Sequence, residues 1–250
     1  MKFSRLKLVG IAIVLFIAFF LSVAKLEAYQ PLISIGKPNL ADICYMPDGR
    51  FLATLTSNYV EFLDAETMSP AFRINTGGLE FYHLAISPDS SLMAISNQAN
   101  GIQIWNISTK TLMATIPAKT DVAEFSPDGK YLAYNVLDPV FLWDIEQRKV
   151  VMELTGDPQP KLGNVDLLSV YAIAFHPDSK ILAVGSTRST IALWDIETGR
   201  IISYLKIGYE AHADNIRFNH DGRLLAAITS RVLSGENSVK LWNISTGDSP

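Results

Sequence analysis

Five aspartates recur in one local context: Asp48, Asp89, Asp128, Asp178 and Asp221 each stand inside a short turn-forming pentapeptide. Carboxylates are the raw material of general acid–base catalysis and of hard-cation sites, but both uses need several of them converging on one point. Here each occupies its own copy of the same segment, so the role to expect is the turn itself, the carboxylate accepting hydrogen bonds from the backbone just ahead. Asp64/Glu66, Asp144/Glu146 and Asp195/Glu197 recur in register as well and read the same way. The four histidines, His83, His176, His212 and His220, fall at different phases of their segments, without the spacing that metal ligation favours. His176 and His220 belong to the turn; His212, in Tyr209-Glu210-Ala211-His212, is the one placed to face solvent. Cys44 is the only cysteine, which excludes an intrachain disulfide and a cysteine-based cluster and leaves a small buried residue as its expected role. No glycine-rich phosphate loop and no Gly-x-Ser-x-Gly elbow occurs. The sequence offers no convergent set of acids and histidines, so the expectation is no catalytic residue, no metal and no cofactor.

The elements that hold these residues repeat. Tyr45-Met46-Pro47-Asp48-Gly49, Ile86-Ser87-Pro88-Asp89-Ser90, Phe125-Ser126-Pro127-Asp128-Gly129, Phe175-His176-Pro177-Asp178-Ser179 and Phe218-Asn219-His220-Asp221-Gly222 are one motif written five times, with third positions 41, 39, 50 and 43 residues apart. Each is followed by a short apolar run ending in alanine, and later by Phe62-Leu63-Asp64-Ala65, Ile104-Trp105-Asn106-Ile107, Leu142-Trp143-Asp144-Ile145, Leu193-Trp194-Asp195-Ile196 or Leu241-Trp242-Asn243-Ile244. Runs of four to six residues rich in Val, Ile, Leu and Phe between Pro-Asp-Gly and Thr-Gly turns predict antiparallel strands. In the fourth unit they fall near 171–176, 181–185, 190–195 and 201–205. Such a small sheet is apolar on both faces and must stack on neighbours of its own kind.

This pattern resembles the WD-repeat family over residues 31–250, and the resemblance implies an all-β fold: a β-propeller of four-stranded antiparallel blades, with repeats starting near 41, 84, 122, 171 and 214. Departures from the family pattern are visible. Gly208-Tyr209 stands where a Gly-His pair is usual, Arg188 and Leu137 stand where an Asp is usual, and Leu63 replaces the first Trp, so the blades are expected to lean on apolar packing. After Trp242 the sequence gives no fourth strand for the last blade. Leu32-Ile33-Ser34-Ile35 resembles that strand and would close the ring; a longer protein of which this is a part is the alternative.

Residues 1–28 read as a signal peptide or membrane anchor. Lys2, Arg5 and Lys7 precede the uncharged run from Leu8 to Ala24, and Ser22-Val23-Ala24 suits a signal peptidase. Orientation follows the basic flank and puts residues 29–250 on the extracytoplasmic side, so the membrane is met only through residues 1–28. The remainder carries 17 bases and 24 acids, a net charge of −7, which argues against nucleic acid as a partner. The function expected is a non-catalytic protein-interaction scaffold, with the N-terminal piece of a larger membrane-linked sensor or propeller enzyme as the alternative. Two insertions, Thr155–Val170 and Thr229–Ser238, fall in connections that such propellers present on one face. Loops on a rigid scaffold are where binding concentrates, and these mark Asp157, Lys161, Asp166, Arg188, Tyr209, Arg231 and Glu236 as the candidate patch, with Tyr209 and the arginines as anchors.

Overall fold

The computed structural model describes residues 40–244 except 79, 80, 98, 100, 121, 137, 138, 156–169, 187, 188, 209, 210 and 232–234. The signal or anchor segment, strand 32–35, and Asp157, Lys161, Asp166, Arg188 and Tyr209 therefore lie outside the described residues. Among those described there are only strands, and no helix is long and apolar enough to cross a membrane.

Among the described residues, nineteen strands form five antiparallel sheets in sequence order. Blade 1 holds β1 (Leu40–Tyr45), β2 (Phe51–Thr56), β3 (Tyr59–Asp64) and β4 (Pro70–Asn75). Blade 2 holds β5 (His83–Ile86), β6 (Leu92–Asn97), β7 (Gly101–Asn106) and β8 (Thr111–Ile116). Blade 3 holds β9 (Ala123–Phe125), β10 (Tyr131–Asn135), β11 (Val140–Asp144) and β12 (Lys149–Leu154). Blade 4 holds β13 (Val170–Phe175), β14 (Ile181–Ser186), β15 (Thr190–Asp195) and β16 (Arg200–Lys206), within a residue or two of the strands predicted for that unit. Blade 5 has three described strands, β17 (Ala211–Phe218), β18 (Leu224–Arg231) and β19 (Asn237–Asn243).

The repeated aspartate builds the turn between the first two strands of every blade. Asp48, Asp89, Asp128, Asp178 and Asp221 each accept, through Oδ1, the N–H two residues on, from Arg50, Ser91, Lys130, Lys180 and Arg223. The residue between has a positive φ in all five: Gly49, Ser90, Gly129, Ser179 and Gly222. The second recurrent acid acts alike: Asp64, Asp144 and Asp195, and Asn106 in blade 2, accept the N–H three residues on. These carboxylates are architecture.

Packing is between blades. Four apolar cores lie at the four junctions of successive blades, and each draws on both neighbours. Phe62, Leu55 and Val60 of blade 1 meet Leu84, Met93 and Ile95 of blade 2, and Val140 and Leu142 of blade 3 meet Ile173 and Leu182 of blade 4. Trp105, Trp143, Trp194 and Trp242 each pack back onto the core shared with the preceding blade; Trp194 and Trp242 are buried, Trp105 and Trp143 partly so. In the four complete blades the ladder between third and fourth strands shifts register at the residue in this column, Leu63, Trp105, Trp143 or Trp194, a bulge that bends the sheet where the large side chain sits. Turns touch across junctions too: the N–H of Asp48 donates to Ser90 Oγ, that of Asp128 to Ser179 Oγ, and His176 Nε2 meets the Gly222 carbonyl at 3.2 Å.

Candidate functional site

The first strands of the blades, β1, β5, β9, β13 and β17, pack on one another in order, which places them innermost. Counted back from the turn motif, two columns of these strands break the apolar pattern: Asp42, His83, Val122, Ala172 and Asn215 in one, Cys44, Ala85, Glu124, Ala174 and Arg217 in the other. Sequence alone points to no convergent acids and histidines; the structure assembles them here. A register shift between Leu40 and Asp42 twists β1 so that Asp42 reaches blade 2. Its Oδ2 accepts the N–H of Leu84 at 2.9 Å and lies 3.2 Å from His83 Nδ1. The other ring nitrogen of His83 lies 2.9 Å from the carbonyl oxygen of Ala123 in blade 3. One imidazole thus joins three blades. Both of its nitrogens face acceptors, and only the doubly protonated ring satisfies both.

The electrostatics agree. Burial opposes the charge on His83, but the hydrogen bond and charge of Asp42, the Ala123 carbonyl and Glu124 outweigh it and hold the pKa above its ordinary 6.5. Burial likewise works against ionised Asp42, yet His83 and the N–H groups of Leu84 and Ile43 bring its pKa below 3.8. Glu124 is raised by burial, against the opposing pull of Arg217, whose Nη1 lies 3.7 Å away. That pair joins blade 3 to blade 5. Burial and the neighbouring Asp42 charge raise Cys44 above 9.0, which keeps it a thiol, donating to the Tyr45 carbonyl at 3.3 Å. The cluster holds charge and can bind polar groups, but no activated nucleophile adjoins its Asp–His pair. Among the described residues no group of three or more His, Cys, Asp or Glu is arranged to hold a metal.

Of the patch expected from the loops, Arg231 and Glu236 are described, and the structure brings them together. Thr229–Ser238 is not a free loop. The ladder of β18 and β19 runs to Ser230 opposite Asn237, and the Arg231 N–H closes the hairpin on the Glu236 carbonyl. Arg231 Nη1 and Glu236 Oε2 lie 3.2 Å apart at the exposed tip. Beside them on the same blade end, His212 Nε2 is 3.0 Å from Asp214 Oδ1, and Ser230 Oγ donates to the other oxygen of Asp214. His212 is only about one-fifth exposed, so it does not face solvent as expected. A carboxylate in the middle of the set, instead of an imidazole, is no arrangement for activating a serine.

Residues 161–213 match the family described as the anaphase-promoting complex subunit 4 WD40 domain. The chain is 27% identical over 167 residues to the WD repeat-containing protein SL1-17 of Schistosoma mansoni, an alignment covering 65% of the chain and 50% of that protein. The curated relatives it matches are spanned over 23% to 60% of their own length. Among solved structures, the β-propeller domain of Cps50 (Swd1) from Myceliophteria thermophila superposes with a TM-score of 0.70 at 20% identity, over 82% of this chain and 69% of that one. A chain of hydrazine synthase from Kuenenia stuttgartiensis does so with a TM-score of 0.66 at 19% identity, over 88% of this chain and 68% of that one. These two likenesses bear on the fold alone.

Proposed function

We propose, from the premise that the chain belongs to the WD-repeat β-propeller family, that it is a non-catalytic interaction scaffold whose propeller stands on the extracytoplasmic side of a membrane. The observation that carries the first half is where charge is placed. The central Asp42–His83 and Glu124–Arg217 pairs serve to join blades, whereas the blade 5 hairpin carries Arg231 and Glu236 outward at its tip, more than half exposed. A paired two-stranded arm that carries one guanidinium and one carboxylate outward is a recognition element. Both groups can exchange their mutual contact, which is worth about 0–1 kcal/mol at an exposed site, for contacts to a protein partner. Arg188 and Tyr209 complete the reading from the sequence side. The second half rests on the basic flank and apolar run of residues 1–28.

The two halves are tested separately. Arg188, Tyr209 and Arg231 changed together to Ala should leave the circular dichroism spectrum and melting temperature within error of the parent. The partner that cross-links to the parent in its native membrane fraction should then be lost; retained cross-linking by the folded variant rules the patch out. A reporter enzyme active only outside the cytoplasm, fused after Pro250, should be active with residues 1–28 present and silent without them. Activity in neither case removes the export reading.

A further inference from the structure

Two of the five segments that follow the third strands differ from the rest at two positions at once. Blades 1, 3 and 4 read Asp64-Ala65-Glu66, Asp144-Ile145-Glu146 and Asp195-Ile196-Glu197, whereas blades 2 and 5 read Asn106-Ile107-Ser108 and Asn243-Ile244-Ser245. In these segments Asn occurs only with Ser, and Asp only with Glu. Asn-x-Ser, with x other than Pro, is the acceptor sequence for an N-linked saccharide on exported chains. Ser245 lies outside the described residues; Asn106, Ile107 and Ser108 are all described.

The turn itself does not require asparagine at 106. Its hydrogen bonds converge on one side-chain oxygen: Asn106 Oδ1 accepts the N–H of Thr109 at 2.9 Å, the hydroxyl of Thr109 at 2.9 Å and that of Ser108 at 2.8 Å. Asp64 and Asp195 take the same N–H and threonine hydroxyl through Oδ1. A carboxylate accepts such bonds more strongly than an amide, because its charge assists them, and the Ser108 hydroxyl would find its acceptor there too. What only asparagine brings is Nδ2, and no hydrogen bond described for this turn uses that atom. The place is accessible as well: Asn106 is half-buried at the end of β7, and Ser108, Thr109 and Lys110 are exposed.

The position suits a bulky substituent. The β7–β8 turn is a third-to-fourth strand connection, at the same blade end as the β5–β6 turn, whose Ser91 carbonyl accepts the N–H of Ile107. The β18–β19 hairpin, with Arg231 and Glu236 at its tip, is a second-to-third strand connection and leaves its blade at the other end. A saccharide on Asn106 therefore leaves that arm clear. The geometry points to Asn106 Nδ2 as the attachment site of an N-linked saccharide, supplied by a lipid-linked saccharide diphosphate. In the transfer Nδ2 bonds to the anomeric carbon, and the bond from that carbon to the diphosphate oxygen breaks. The lipid diphosphate leaves, and the proton lost from Nδ2 passes to a base of the transferase. The assignment rests on the extracytoplasmic reading of residues 29–250, the side on which such acceptors are used.

The test takes the full chain from its own cells. Peptide mass mapping should find the peptide that contains Asn106 heavier than its sequence by a saccharide. An amidase that releases N-linked saccharides, used in heavy-oxygen water, should leave a labelled aspartate at that position. Asn106→Asp and Ser108→Ala should each abolish the added mass, and Ser108→Thr should keep it. Asn106→Asp brings in the residue type that blades 1, 3 and 4 use, so its melting temperature should match that of the parent after saccharide removal. An unmodified Asn106, in a chain whose fused reporter is active outside the cytoplasm, overturns the assignment and leaves the export reading standing. A reporter silent with residues 1–28 present overturns both. A mass that survives Ser108→Ala comes from other chemistry and overturns the assignment alone.

Discussion

His83 ties three blades together at the scale of one residue: its two ring nitrogens join an aspartate of the preceding blade to a carbonyl of the following one. The link is a charge pair, and its pH dependence has a definite sign. A histidine whose folded pKa is raised contributes stability that is complete below 6.5 and is lost as pH rises through the folded value. An aspartate whose folded pKa is lowered contributes stability that is present above 3.8 and is lost as pH falls through the folded value. The Asp42–His83 pair is therefore at full strength between about pH 4 and 6.5. Melting temperatures measured from about pH 5 to 9 should fall on the alkaline side in the parent, and the fall should be much shallower in His83→Gln. Parallel curves for the two proteins would show that the imidazolium link contributes nothing. This site was hard to read from sequence for a physical reason. Asp42, His83, Glu124 and Arg217 are distributed over four repeats, and only the radial stacking of first strands brings them together. The signal was there in another form: aligned on the turn motif, they occupy two columns whose other members are mostly small or apolar.

At the scale of the element, the blade was legible almost whole. Alternating apolar residues with period two, and turns whose Asp and positive-φ residue recur in place, predict strand, turn and register together, and local chemistry of that kind does not depend on distant contacts. Gly222 shows how strict the turn is: its φ is +74°, and a methyl group there would run into the ring of His176 in the neighbouring blade. Gly222→Ala should therefore destabilise by ~1–3 kcal/mol in a denaturant titration, from backbone strain and displacement of that imidazole. A neutral result would mean that His176 swings clear at no cost. Trp194, buried between blades 3 and 4, should cost ~3–5 kcal/mol when changed to Ala, against less for the more exposed Trp143. The expectation of a free loop over Thr229–Ser238 went astray because polar residues in Ser230-Arg231 and Asn237-Ser238 read as loop, although their backbones continue the ladder at an exposed blade end where polar side chains carry no penalty. Arg231 and Glu236 were legible as candidates, but their position at the tip of a paired hairpin was not.

On the scale of the whole molecule, the blades form a line of nearest-neighbour contacts, and stability is then set by how many neighbours a unit has. Among the described residues, blades 2, 3 and 4 are packed on both faces, and 1 and 5 on one. Amide hydrogen exchange followed by mass spectrometry should show slowest exchange in β9–β12 and progressively faster exchange toward β1–β4 and β17–β19. Uniform protection across all five blades of the 250-residue chain would mean that unfolding is concerted and that the end faces matter little. Every core joins segments one repeat apart, so as the polypeptide lengthens each blade can dock as soon as it is complete, and nothing in those cores distinguishes an early stage of assembly from a late one. The Glu124–Arg217 pair is different, since its two halves lie on either side of a whole intervening blade. It cannot form until blade 4 has seated and blade 5 has curved back toward blade 3. This salt bridge is therefore a mark that the curvature has been set, not merely that the blades have been made.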